Sequence, residues 1–257
     1  MYRPQDIETG DSLMHNALRL LDLALPTPGE NLACDEALFV ECEQRGGNGT
    51  LRFWEPSRSF VVVGYANAVG REVQVDDCRA LGIPIVRRCT GGGTVVQMSG
   101  CLNYALVLPL DRHEEFKTIA STNRMIMETL RTAIAALNRS ASLTIEGISD
   151  LALDGKKFSG NAQRRGEHFL LFHGVILYRA DLQLITRLLP MPSRQPKFRQ
   201  NRPHKSFLTN IDCSADDLKR GITEAWGAIP YPDEPPWEEI RRLTRSKYTQ
   251  ESWNFKR

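Results

Sequence analysis

The sequence predicts an α+β protein with a mainly antiparallel, partly mixed β-sheet flanked by helices. Three observations carry that prediction. Short β-prone runs follow one another along the chain, amphipathic helices interrupt them only at a few places, and neither a dinucleotide fingerprint nor a Walker-type phosphate loop occurs. A doubly wound nucleotide fold is disfavoured.

Residues 1–29 are mixed and end in Pro26, Pro28 and Gly29, after which Leu32, Ala33, Ala37, Leu38 and Val40 recur at helical spacing. The runs 51–54 and 60–63, separated by Pro56 and Ser57, predict a hairpin-like pair of strands. A helix over 75–81 leads through Gly82 and Pro84 into a strand over 83–88, and the chain resumes as strand over 102–108. Phe116, Ile119, Ile126, Leu130, Ile134 and Leu137 form one stripe of a long helix that should cover the sheet. Strands over 143–145, 150–153, 156–164 and 169–178 follow, with Asp154-Gly155 as a two-residue hairpin turn. Helices are expected over 180–189, 215–226 and 237–244, with a Pro- and Arg-rich loop to about Arg202.

Composition narrows the class. Of the 257 residues, 41% are hydrophobic and 25% charged, enough for a sizeable core. Six cysteines stand apart from one another inside apolar segments, which fits reduced thiols in a cytoplasmic protein better than a disulfide frame or a zinc site. The first 21 residues lack a basic region followed by an apolar run, and no apolar window is long enough to cross a membrane. A net charge of +2 gives no bulk argument for a nucleic-acid partner. The most basic stretch, 194–205, is read either as a solvated loop or as one that contacts a phosphate or an acidic partner.

Two segments could carry chemistry. In Arg87-Arg88-Cys89-Thr90-Gly91-Gly92-Gly93-Thr94-Val95, a strand stops at two arginines and runs into three glycines. Consecutive glycines let backbone N–H groups approach an anion, and a guanidinium adds charge-assisted bonds; a bulge or tight turn is the plain alternative, since glycine clusters are common. In the run from Asp150 to Arg164, period-two alternation places Lys157, Ser159, Asn161 and Gln163 on one polar face, and Phe158, Gly160 and Ala162 on the packing face. A lysine on a rigid strand beside small residues can stabilise the anion formed in acyl transfer. His173-Gly174 interrupts a third, apolar strand, where a satisfied core histidine is the plain alternative.

The arginine pair with its triple glycine and the Lys-Phe-Ser-Gly-Asn-Ala-Gln-Arg-Arg run from Lys157 resemble the two signature segments of the lipoate-protein ligase family. The likeness covers about residues 30–210 and takes in Asn31 to Ala37, Trp54 with Pro56, and His173-Gly174. It implies the α+β catalytic domain shared with biotin ligases: a single catalytic domain over 1–257, with a core of about 30–210 and a helical extension over 211–257. It implies Lys157 as the catalytic residue, and Arg88, Thr90, Gly91, Gly92, Gly93, Thr94, Val95, Ser159, Gly160, Ala162, Arg164, His173 and Gly174 as substrate- and adenylate-binding positions. Asp150 would help place Mg2+. The implied reaction activates lipoate with ATP to lipoyl-AMP and transfers the lipoyl group to a lysine of a carrier. That carrier would be the lipoyl domain of an acyltransferase subunit or a glycine-cleavage-type protein; a separate accessory-domain chain is a further implied partner, with no nucleic acid or membrane involved.

Three departures qualify this. Gln97-Met98-Ser99-Gly100-Cys101 replaces the family's frequent His-Asp-x-Gly-Asn, Ser149-Asp150 replaces an Asn-Asp pair, and the resemblance is to a catalytic domain without the usual C-terminal accessory domain, so none is expected here. A rival reading is an ATP-independent octanoyl or lipoyl transferase of the same fold, which needs a cysteine nucleophile. No cysteine lies in 139–149, and Cys89 or Cys101 would need a lowered pKa. A reading of another class is a non-catalytic subunit that binds a lipoyl or adenylated ligand.

Overall fold

The computed structural model describes residues 17–137 and 142–256. The reading of the N-terminus as a mixed, non-targeting stretch therefore falls largely outside the described residues, as do positions 138–141. Strand β1 (Arg19–Asp22) leads to helix α1 (Pro28–Arg45), then β2 (Thr50–Trp54), β3 (Phe60–Val63), α2 (Val69–Glu72), α3 (Val75–Ala80), β4 (Ile85–Arg87), β5 (Val95–Gln97) and β6 (Cys101–Pro109). The long helix α4 (Ile119–Leu137) is followed by β7 (Leu143–Glu146), β8 (Asp150–Leu153), β9 (Lys156–Arg165), β10 (Phe169–Leu177), α5 (Leu182–Leu188) and α6 (His204–Phe207). Helix α7 (Ala215–Trp226), β11 (Ile229–Pro230), α8 (Trp237–Leu243) and α9 (Glu251–Asn254) close the chain.

The strands form two sheets. The large one has the order β11-β1-β2-β6-β10-β9-β8-β7, parallel at its β11-β1-β2 end and antiparallel elsewhere; the small one is β4-β3-β5. This is the mixed, mainly antiparallel α+β architecture expected. The expected hairpin of 51–54 with 60–63 is not formed, because these segments belong to different sheets. Strand β2 is already bonded on both edges by β1 and β6, and β3 by β4 and β5, so neither has a free edge for the other. The connection through Pro56 crosses between sheets, and Glu55 anchors the crossing by accepting from Gly100 N (2.7 Å) and Tyr178 Oη (2.9 Å).

Helix α1 begins four residues before its apolar period does. Thr27 and Glu30 form a capping box, with Thr27 Oγ1 accepting from Glu30 N (3.2 Å), Glu30 Oε2 from Thr27 N (3.0 Å), and Pro28 at the first helical position. The Asp154-Gly155 turn has φ of 51° and 71°, the doubly left-handed pair that a type I′ hairpin requires. Helix α4 lies on the large sheet through Ile126, Leu130 and Ile134, which share a core with Phe53, Leu106, Phe172 and, from α7, Leu218 and Ile222. On the opposite face Leu32, Leu38 and Phe39 of α1 pack with Trp54, Leu171 and the C-terminal residues Ile240, Leu243 and Tyr248. A third cluster joins the small sheet to Val175, Leu177 and α5.

Candidate active site

A cavity of about 770 Å³ opens between the two sheets. Leu32 and Asp35 of α1, Trp54 at the end of β2, Val62, and Gly92 to Val95 form one side; Lys157, Gly160, Ala162, His173 and Val175 of β9 and β10 form another. The loop 190–203 after α5 closes over it with Phe198 and Arg199.

One irregularity in β9 decides how Lys157 enters this cavity. Asp150 pairs with Gly160 and Leu151 with Ser159, yet Ala152 pairs with Lys157, so β9 carries one extra residue at Phe158. The bulge breaks the alternation and overturns the face assignment read from sequence. Asn161 and Gln163 point to α4, where Asn161 Nδ2 contacts Met127 Sδ (3.4 Å) and Gln163 Nε2 donates to Asn123 Oδ1 (2.6 Å). Ser159 is buried beside Asn161 on that side. Lys157 instead shares the cavity face with Gly160 and Ala162, opposite Val175 and His173. A Cβ on Gly160 would lie 2.7 Å from Lys157 Nζ, so glycine is what lets the ammonium lie along the strand and reach Asp150 Oδ1 at 2.7 Å.

Neither arginine of the first signature reaches into the cavity as a free cation. Arg88 Nε donates to Thr90 Oγ1 (3.1 Å) and Gly91 O (3.1 Å), and Nη2 donates to Gly93 O (2.8 Å) and Gly91 O. The guanidinium thus acts as the internal strut of the glycine loop, and burial pulls its pKa down to about 10, still charged at neutral pH. Arg87 is wholly buried and donates to the carbonyls of Gly64 (2.9 Å), Asn67 (2.7 Å), Trp253 (3.0 Å) and Lys256 (2.8 Å). Loop shape explains the arginine pair: these donors satisfy inward-turned carbonyls of the chain itself. Gly64 is needed beside the loop because a Cβ there would meet Gly92 O at 2.1 Å.

His173 belongs to a buried relay. Arg52 Nη1 donates to Asp35 Oδ1 (2.5 Å), and Asp35 Oδ2 lies 3.3 Å from His173 Nδ1, which must carry the proton because a carboxylate only accepts. In the neutral ring Nε2 then accepts from the Thr90 hydroxyl at 2.6 Å. Burial alone would raise the Asp35 carboxyl, but Arg52 and His173 outweigh it and hold it below its ordinary value.

Of the sequence-derived positions, the fold gathers Arg88, Gly92, Gly93, Thr94, Val95, Asp150, Lys157, Gly160, Ala162, His173 and Gly174 on the cavity wall. Four stand off it. Thr90 lies behind His173, Gly91 bonds Arg88 through its carbonyl, Ser159 is on the α4 side, and Arg164 pairs with Glu36 Oε1 at 2.7 Å. Sequence reasoning did not assign roles to Asp35, Arg52 and the Gln97–Asn103 pair. The signal for Asp35 was an acid three residues after Leu32 on the inward stripe of α1. Gln97 Nε2 donates to Asn103 Oδ1 (2.6 Å) and Asn103 Nδ2 to Gln97 Oε1 (2.9 Å) on the cavity wall, where the family pattern often has histidine.

The cysteines are chemically quiet. Burial pushes Cys89 up to about 11 and Cys101 up to about 12, and none of the six lines the cavity.

The family model of the lipoyl protein ligase A/B catalytic domain matches residues 27–223. The chain belongs to this family. Within the lipoyl ligase A/B family it resembles two kinds of protein. The bipartite lipoate protein ligase of Thermoplasma acidophilum, studied with its E2 lipoyl domain, superimposes with a TM-score of 0.79 at 27% identity, covering 94% of this chain and 97% of that one. A lipoate-protein ligase A solved with bound ATP gives 0.78 at 27% identity, covering 93% and 98%. The octanoyltransferase LipM of Geobacillus kaustophilus is 25% identical, over 93% of this chain and 98% of its own. Lipoyl ligases and octanoyl transferases are thus both near relatives, and an enzyme of lipoylation is what they share.

Proposed function

We propose that this chain is an ATP-dependent lipoate-protein ligase acting as one catalytic unit over its whole length. The observation that carries this reading is the cavity's equipment: the Lys157–Asp150 pair at 2.7 Å lines it, and no cysteine does. A transferase of this fold would need a thiolate facing the acyl group, and the six thiols here are placed away from the wall. A ligase needs none, because the attacking amine belongs to the carrier.

In the first step a carboxylate oxygen of lipoate attacks the α-phosphorus of ATP, forming the acyl–phosphate bond of lipoyl-AMP and releasing pyrophosphate. Lys157 would neutralise charge on the carboxylate and the α-phosphate, and backbone N–H groups of the glycine loop would add donors. In the second step the carrier's ε-amine attacks the acyl carbonyl, AMP leaves with the bonding pair, and the amine loses a proton. The apolar wall of Leu32, Val62 and Trp54 suits an acyl chain. Trp54 Nε1 and Thr94 Oγ1 are buried without partners, and a ligand in the cavity would satisfy them.

Asp150 is the residue that would hold Mg2+, together with phosphate oxygens. Magnesium bound through substrate phosphates takes only one or two carboxylates, and no cluster of three potential ligands exists among the described residues. The ion would supply charge neutralisation at the phosphates. Arg199, buried with its guanidinium in the loop 190–203 and bonded to Arg202 O at 3.0 Å, lies where it could face the nucleotide.

The test is carrier mass. Purified chain with lipoate, Mg2+ and a lipoyl domain should add a lipoyl mass only when ATP is present, and Lys157→Ala should abolish the gain. A gain from an octanoyl thioester donor without ATP would instead establish the transferase.

A further inference from the structure

Two polar side chains of the large sheet meet across a missing one. Tyr104 of β6 and Asn161 of β9 both pair with Gly174 of β10, so a whole strand separates them. Because Gly174 has no side chain, Tyr104 Oη reaches Asn161 Oδ1; a Cβ there would lie 1.7 Å from that oxygen. The contact is on the side of the sheet that faces α4, where Asn161 Nδ2 lies 3.4 Å from Met127 Sδ and from Ser159 Oγ. The amide is also clasped to Ser149. Asn161 Nδ2 donates to Ser149 O at 2.7 Å, and Ser149 Oγ donates back to Asn161 O at 3.1 Å. A carbonyl only accepts, so Nδ2 must face Ser149, and Oδ1 is thereby turned to the Tyr104 hydroxyl, which must donate. Burial raises the Tyr104 phenol well above its ordinary pKa, so that proton stays in place.

The clasp stands at the end of a ladder. Strands β8 and β9 pair as far as Asp150 with Gly160, and Ser149 with Asn161 is the next rung, made here by side chains. Beyond it lies the turn 147–149, in which Gly147 has φ of 60° and Ile148 is 79% exposed. Without the clasp Asp150 would be the last rung beside an exposed turn, and such ends open most readily. Asp150 is also the ion-pair partner of Lys157 among the described residues, at 2.7 Å.

We propose that the Asn161 amide is a positioning group for this site: through Ser149 it fixes the Asp150 carboxylate, and through Asp150 the Lys157 ammonium. The inference rests on the ligase reading, in which that pair meets the nucleotide phosphates. Charges aimed at a phosphate are effective when held in place beforehand, and a displacement of about 1 Å can cost about 10²-fold in rate. Tyr104, buried in the core beneath α4, is the fixed end of the chain of contacts. Gly174 has a steric reason to follow His173, since it leaves the amide its room.

The experiment compares the wild-type chain with Asn161→Ala and with Tyr104→Phe, which keeps the core filled and removes only the hydroxyl that orients the amide. Titration calorimetry reads MgATP and lipoate binding separately. Lipoate-dependent exchange of pyrophosphate into ATP gives kcat and KM, and amide hydrogen exchange followed by mass reads the turn 147–150. We expect Asn161→Ala to weaken MgATP binding about tenfold and lower kcat about 10²-fold, with lipoate affinity within about twofold. Hydrogen exchange should quicken at 147–150 and stay as it is in β6 and β10. Tyr104→Phe should shift the same quantities by less, and it carries the test if Asn161→Ala does not fold. Lipoate and MgATP affinity falling together overturns the proposal, since the amide would then touch the acyl group or merely hold the fold. Quickened hydrogen exchange in every strand overturns it too, as does a kcat that stays at the wild-type value. If the wild-type chain shows no pyrophosphate exchange, the ligase reading fails, and transfer from an octanoyl thioester then decides the role of Asn161. A slowed transfer in Asn161→Ala with a loosened turn supports it; an unchanged transfer overturns it.

Discussion

Lys157 faces the cavity because its neighbour Phe158 is an extra residue in the strand and Gly160 has no side chain to obstruct the ammonium. We expect Lys157→Ala to reduce the lipoylation rate by about 10²–10³, the usual cost of removing one transition-state donor, without lowering the thermal midpoint. Cys89→Ser and Cys101→Ser should leave ATP-dependent activity within about twofold, since both thiols are protonated and off the wall. Asp35 behaves differently, because it and Arg52 are paired deep in the protein with 3% and 0% side-chain exposure. Asp35→Ala strands the guanidinium, and a loss of ~3–5 kcal/mol in urea denaturation is the expected result. Glu36 supplies a pH dependence. Burial raises its pKa, but Lys247, Tyr248 and Arg164 together hold it below the ordinary carboxylate value. A depressed folded-state pKa stabilises the fold fully above the unfolded value and progressively less as pH falls through the folded one. The stability gap between wild type and Glu36→Gln should therefore be full at neutral pH and close in acid, which urea midpoints across that range would show.

Among the elements, the Asp154-Gly155 turn and the long helix were legible in the sequence, and the connections between sheets were not. Asp154-Gly155 announced its own geometry, because few residue pairs adopt two left-handed conformations in succession. Gly155→Ala meets no neighbouring atom, so its cost is conformational, about 1 kcal/mol, measurable as a lower melting temperature. Gly100→Ala should cost more, since the new Cβ would lie 2.3 Å from the backbone carbon of Arg179. The apolar stripe of α4 was equally plain. The pairing of β2 and β3 was misread because two short apolar runs with a proline between them look alike whether they pair with each other or with distant strands. Strand order depends on which edges other segments have already filled, and that is long-range information.

At the scale of the whole molecule, the C-terminal residues are part of the architecture that shapes the glycine loop. Ile240, Leu243 and Tyr248 complete the core against α1, Lys247 and Tyr248 hold Glu36, and the carbonyls of Trp253, Asn254 and Lys256 receive Arg87. Truncation before Trp237 should lower the thermal midpoint sharply and abolish lipoate-dependent pyrophosphate exchange, although the family match itself ends at residue 223. By itself the sequence determined the α+β class, the Asp154-Gly155 hairpin, the glycine loop and the lysine strand, since these rest on local conformational preference and short-range pattern. Only the tertiary structure decided which face of β9 Lys157 occupies, that Arg87 and Arg88 bond the chain's own carbonyls, and that Asp35 stands behind His173. A bulge, a buried charge pair and a carbonyl-lined arginine all depend on partners far away in sequence, and those partners are fixed only when the sheets close on one another.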